Sequence, residues 1–127
     1  MGDKEILQQL SKIEYHIRLL NEQFERGDLP SRVSSLIISN DWDERQINRA
    51  FEIFEEFEGK IDAAEEINHS EFEAAFVRHL DVDYQALKSV IGAFFDDDHY
   101  GRVCRAYVRS FKGKASSEYY RIMPEPE

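Results

Sequence analysis

Ile6, Leu10, Ile13, Ile17, Leu20 and Phe24 recur at steps of four, three, four, three and four. An α-helix gathers residues so spaced on one side, and a strict heptad alternation is the pattern of a seam facing another helix. Leu7 and Leu19 widen the stripe on one flank. The spacing predicts a helix from Asp3 to Glu25, ended by Gly27 as a C-cap, with Pro30 opening the next element. The stripe has two readings. It is either a self-association seam or the core-facing side of one helix in a bundle, because three heptads alone make a marginal coiled coil. No polar residue interrupts it to fix register.

Helical spacing recurs along the chain. Ile47, Ala50, Phe51, Phe54 and Phe57 form one apolar face. Phe72, Ala75, Phe76 and Leu80 form a second, Leu87, Val90, Ile91 and Phe94 a third, and Val103, Ala106, Tyr107 and Phe111 a fourth. The run Leu36-Ile37-Ile38 is too short for periodicity to decide, and helix is favoured because no partner strand is visible nearby. Asp43 with Gln46 reads as a capping box, opening a helix that runs to about Glu58 with Gly59 after its end. Ser70 with Glu73 reads as a second capping box, and Asp83 as the cap of the helix from Tyr84 to Phe95. Asp96-Asp97-Asp98 reads as a solvated loop of repelling charges. No internal repeat of fixed period appears. The expected fold is therefore all-α: a compact multihelical bundle of about five to six helices with a long N-terminal helix. Residues 1–111 form the expected single domain. Residues 112–127, carrying Gly, Ser, Pro and Glu, form a partly flexible tail.

At 127 residues the chain can bury a core without metals or disulfides. Its one cysteine, Cys104, cannot form an internal disulfide. There is no run of about 18 apolar residues, so no membrane span is expected. Met1-Gly2-Asp3-Lys4-Glu5 carries no apolar run of the signal-peptide kind. Together these features point to a reducing cytoplasm.

Lys12-Ile13-Glu14-Tyr15-His16-Ile17-Arg18-Leu19-Leu20 resembles the opening helix of the YhaI-like family, small bacterial proteins of unknown function. The resemblance continues through Leu36-Ile37-Ile38 and the capped acidic helix from Asp43, and recurs weakly in Phe72 to Leu80 and Tyr100 to Phe111. It spans roughly positions 12 to 111. It implies an all-α fold and a bacterial, cytoplasmic origin. It carries no catalytic motif, and hence no functional residue.

Charge supplies the remaining candidates. Positions 41–83 carry fourteen Asp or Glu and four Lys or Arg, which accounts for the whole net charge of −10. Such a band is either a solvated surface or a docking face for a basic protein, for which Glu52, Glu55, Glu56, Glu65 and Glu66 are the candidates. Arg102, Arg105, Arg109 and Lys112 are spaced three, four and three. On a helix they share one side, a stripe able to bind phosphates with Tyr100 and Tyr107 stacking on bases. The bland alternative is a set of salt bridges to acidic surfaces, and the overall acidity disfavours nucleic acid.

Catalytic chemistry has little support. Glu66-Ile67-Asn68-His69 is a single Glu-x-x-His, where a di-iron bundle needs two. His69 and Glu73 reach His79 only if the chain folds back. Asp96, Asp98 and Gly101 begin like a calcium loop, but its twelfth position is Tyr107. Arg102 and Arg105 would lower the Cys104 thiol pKa if it were exposed, although Val103 and Ala106 suggest a packed, inert thiol. Trp42 is expected to staple against Ile47 rather than stand out as a binding anchor. No cofactor, metal or catalytic residue is expected. The reading is a non-enzymatic interaction module, a homo-oligomer seamed through Ile6, Leu10, Ile13, Ile17 and Leu20, with the acidic face toward a basic partner. The alternatives are a nucleic-acid-associated regulator using the basic helix and, third, a metal-dependent enzyme.

Overall fold

The computed structural model describes residues 2–26, 31–112 and 114–122, with no account of the side chains at 23–26. The proposed ends at Gly27 and Pro30, and the Phe24 side chain, lie outside the described residues. Six α-helices follow one another: α1 (Asp3–Arg26), α2 (Arg32–Ser39), α3 (Glu44–Asp62), α4 (His69–Leu80), α5 (Tyr84–Asp96) and α6 (Gly101–Arg109). A 3-10 turn at Ser117–Tyr119 closes the order, and no strand occurs among the described residues.

Helix α5 is the axis of the packing. Leu87, Val90, Ile91, Gly92, Ala93 and Phe94 are all buried, so its apolar surface extends well beyond one stripe. Helices α2, α4 and α6 and the 3-10 turn all contact it. Helix α3 reaches it through Phe54, whose ring stacks on Phe94 at 4.4 Å between centroids. Phe54 also meets the edges of Phe72 and Phe76 and stacks on Tyr100. Truncating such a ring to alanine costs about 3–5 kcal/mol in comparable cores.

The core extends past position 111. Ala115, Tyr119 and Ile122 are buried, and Tyr119 meets Tyr107 edge-on at 5.6 Å. A composition of small and polar residues suggested fraying there, but three apolar side chains suffice to dock the segment.

Helix ends follow local chemistry, with two corrections. Asp43 and Gln46 form the expected capping box, and Asp83 caps α5 by accepting from the Ala86 N–H. Gly59, however, lies inside α3, which runs on to Asp62. The extra turn packs Ile61 against the core and brings Asp62 within 3.0 Å of Arg102. Those contacts outweigh a mid-helix glycine penalty of about 1 kcal/mol. The end is made instead by Ala64 at φ 60°, with the Glu65 N–H bonded to the Lys60 carbonyl. Ser70 does not cap α4. Asn68 does, its side chain accepting from the Ser70 and Glu71 N–H groups.

Asp97 departs furthest from expectation. Its carboxylate accepts from the Ser31 hydroxyl at 2.6 Å, the Arg32 N–H at 2.9 Å and the Val33 N–H at 2.8 Å. Ser31 Oγ in turn accepts from the Ser34 N–H. The first three N–H groups of the eight-residue α2 are thus satisfied, and a negative charge sits at the positive end of its dipole. Neighbouring Asp96 pairs with Arg121. The triple-Asp turn is therefore a joint between α5, α2 and the C-terminal segment.

Partial burial pushes the Asp97 carboxyl pKa up, but the Ser31, Val33 and Arg32 bonds outweigh it and hold it below the usual carboxylate value. The stability it contributes is present above the unfolded value of about 3.9 and is lost as pH falls through the lower folded value. Asp97→Ala is expected to cost about 2 kcal/mol in urea unfolding at neutral pH. Asp97→Asn should also flatten the acid-side loss of stability, and an unchanged acid slope in that variant would refute the assignment.

Candidate interaction surfaces

Helix α1 meets the body through one side. Tyr15 and Leu19 pack on the core, the Lys12 ammonium donates to Asp41 at 2.7 Å, and the His16 ring Nε2 bonds the Trp42 carbonyl at 2.7 Å. Arg18 pairs with Glu44 at 2.9 Å. Lys12 draws the Asp41 carboxyl below its usual range. At roughly 100° per residue, Tyr15 falls opposite the centre of the apolar stripe. The stripe therefore faces away from the body.

Its exposure follows. Ile6, Leu7, Leu10, Ile13, Ile17 and Leu20 each keep 49–62 % of their surface in contact with solvent. Among the described residues only Val77, Tyr84 and Tyr120 join them as exposed large apolar side chains, so six of nine lie on one helix. The bundle-core reading of the stripe is thereby corrected for this chain taken singly, since the core is built without it. Leu7 and Leu19 do not share a flank: Leu7 stands beside the exposed stripe and Leu19 turns to the body. Both show the same apolar spacing, and only the docking contacts distinguish them.

Glu52, Glu55 and Glu56 project from α3, and Glu65 and Glu66 lie exposed in the α3–α4 connector. Glu52 pairs with Arg49, and Glu55 accepts from the Tyr100 hydroxyl at 3.1 Å. Burial, then Glu55 and Glu58, push the Tyr100 phenol up to about 12. Glu56, Glu65 and Glu66 form no ion pair among the described residues.

The basic helix is divided. Arg102 bridges Glu58 at 2.9 Å and Asp62 at 3.0 Å, and Arg105 lies over the Phe95 ring at 5.3 Å. Tyr107 is fully buried and cannot stack on a base, while Tyr100 packs on Phe54. Arg109 and Lys112 instead line a surface groove of about 1130 Å³ that also contains Glu65 and Glu66. Ile61, Ile67 and Phe111 supply apolar lining, and His69 stacks on Phe111 at 4.1 Å. Glu65 and Glu66 of the acidic set and Arg109 and Lys112 of the basic set thus share one groove, a convergence with no signal in the sequence because it depends on how α6 packs against the connector.

His69 Nδ1 lies 3.3 Å from Glu73, and among the described residues no three His, Cys, Asp or Glu side chains converge as a metal site. Trp42 and Ile47 are both buried in the core cluster, as a staple requires. Among the described residues no helix is long and apolar enough to cross a membrane. No family model matches the chain, and no curated protein or solved structure matches it either.

Cys104 is fully buried, with its thiol against the Ile91 carbonyl. Burial pushes its pKa up to about 12, and Arg105 offsets this only in part. A disulfide-exchange reagent at pH 8 is expected to leave Cys104 unmodified in the native protein and to titrate one thiol after urea unfolding. Fast native labelling would show that the thiol is accessible.

Proposed function

We propose that this chain is a non-enzymatic interaction module that self-associates through α1 and offers acidic side chains of α3 and the α3–α4 connector to a basic protein. One observation carries the reading: Ile6, Leu10, Ile13, Ile17 and Leu20 stand half-exposed on a single helix face turned away from the body, with Leu7 exposed at its flank. Fully burying each contributes about 1.5–3 kcal/mol, so the exposed half leaves about 1 kcal/mol apiece. Without Leu7, which lies beside the seam, two copies together gain on the order of 10 kcal/mol, against an association cost of about 4–15 kcal/mol. The patch is thus of the size an interface needs.

Electrostatics supports the same division of surfaces. Helix α1 carries five acidic and four basic residues and is nearly neutral, so contact there brings little like charge face to face, and salt screens the longer-range repulsion of the net charge of −10. The acidic surplus lies on other elements, where it steers association with a basic partner. The resemblance to the YhaI-like family, carried by residues 12–20, forms part of the proposal and makes the module bacterial and cytoplasmic. The nucleic-acid reading ranks second, because Arg102 and Arg105 are engaged by Glu58, Asp62 and Phe95.

Ile13→Asp is expected to yield a monomer by light scattering with undiminished helical circular dichroism. Its side chain is half-exposed, so the charge stays solvated in the monomer and is costly only at an interface. Unfolding of this variant would assign Ile13 to the core. A mass unchanged from the parent would remove the seam.

The acidic face is tested by capture from nuclease-treated host lysate at low and high salt. A basic protein recovered at low salt should be lost at high salt, and lost also in a Glu52→Lys, Glu56→Lys variant. Recovery indifferent to both would reduce the acidic band to ordinary solvated surface.

A further inference from the structure

We propose that the α1 seam joins four copies of this chain, their α1 helices forming a central four-helix core with the bodies outside. The inference rests on the self-association reading above and fixes its number.

The heptad steps place Ile6, Ile13 and Leu20 at d positions and Leu10 and Ile17 at a positions. Two-stranded seams favour β-branched residues at a and Leu at d, whereas Leu at a with Ile at d favours higher-order assemblies, trimers and tetramers. Ile6, Leu10 and Ile13 follow the second rule. Only the final turn, Ile17 and Leu20, follows the first.

The width of the patch points the same way. Leu7 occupies an e position and is 62 % exposed. A two-helix seam covers a and d and leaves an e side chain in water, while a four-helix core takes it inside. The flanks also lack the charges that direct two-stranded pairing. Among Leu7, Gln9, Glu14, His16 and Asn21, at e and g, only Glu14 carries a full charge, and His16 is committed to the Trp42 carbonyl.

Length adds a third argument. From Ile6 to Leu20 the seam runs fourteen residues, roughly 21 Å at 1.5 Å per residue. That is short for a helix pair standing alone. In a closed core of more than two helices each helix packs on two neighbours, which doubles the contact without lengthening the seam. The body docks on the side of α1 marked by Lys12, Tyr15 and Leu19 and leaves the a and d positions free, with the exposed Leu7 at the rim of a groove it shares with Asp43, Glu44 and Arg45.

The test is sedimentation equilibrium of the full chain over a dilution series, beside a Leu10→Ile, Ile6→Leu, Ile13→Leu variant. The three exchanges conserve volume at exposed positions, so the monomer fold is retained, and circular dichroism verifies it. The parent is expected at four times the 15.0 kDa chain mass, and the variant at twice that mass. A parent of two or three chains overturns the four-helix core while leaving self-association standing. A single-chain parent overturns both. A variant that stays at four chains overturns the side-chain basis of the count.

Discussion

Helix α5 has so much apolar surface that it must be enclosed, and the other elements are placed by enclosing it. Its buried residues run from Leu87 to Phe94, including the small Gly92 and Ala93 that let neighbours approach closely. Helices α2, α4 and α6 take up its surface, and α3 adds the Phe54–Phe94 stack. The same demand draws in Tyr119 and Ile122. Non-directional burial sets the arrangement, and the aromatic contacts then select one packing among the possible ones. Helix α1 stands apart from this arrangement. It reaches the body through α2, the loop at Asp41 to Asp43 and Glu44 at the start of α3, and keeps its most apolar side outward.

Charge is organised on a different principle from burial. Where α6 crosses α3, Arg102 is held between Glu58 and Asp62, neutralising part of the acidic band within the molecule. These pairs are exposed and individually contribute little to stability. Their effect is to set Arg102 against Glu58 and Asp62 and to leave the surplus at Glu56, Glu65 and Glu66. Arg109 and Lys112 line the same groove as the last two. The lopsided charge of the sequence thus becomes, in three dimensions, one mixed-charge groove and one acidic helix face.

Much of this fold was legible from local signals. Apolar spacing located the helices, and Asp43 with Gln46 and Asp83 with the Ala86 N–H are bonds spanning three residues, within reach of a sequence pattern. Gly59 misled because a residue suited to ending a helix need not end it when Ile61 beyond it has a core to join. Ser70 misled because Asn68 two residues earlier offers an equally good acceptor and lets His69 stack on Phe111. The α1 stripe was read correctly as a stripe, yet its burial was undecidable, since core and interface impose the same period. The groove was illegible for a related reason: its charged sides come from segments some forty residues apart.

The Asp97 joint has a further consequence, for the order in which the molecule assembles. Its three bonds to residues 31–33 span 64 to 66 positions. Helices α3 to α6 pack largely on sequence neighbours, and such local contacts form early and fast. The N–H groups at the start of α2 have no carboxylate until α5 has ended, and closing so long a loop carries a larger entropy cost. Helix α2, with Val33, Leu36 and Ile37 buried and the Asp97 bonds at its start, is tied into the body, whereas α1 has few buried apolar contacts of its own. Helix α1 is thus the element that the rest of the chain encloses least.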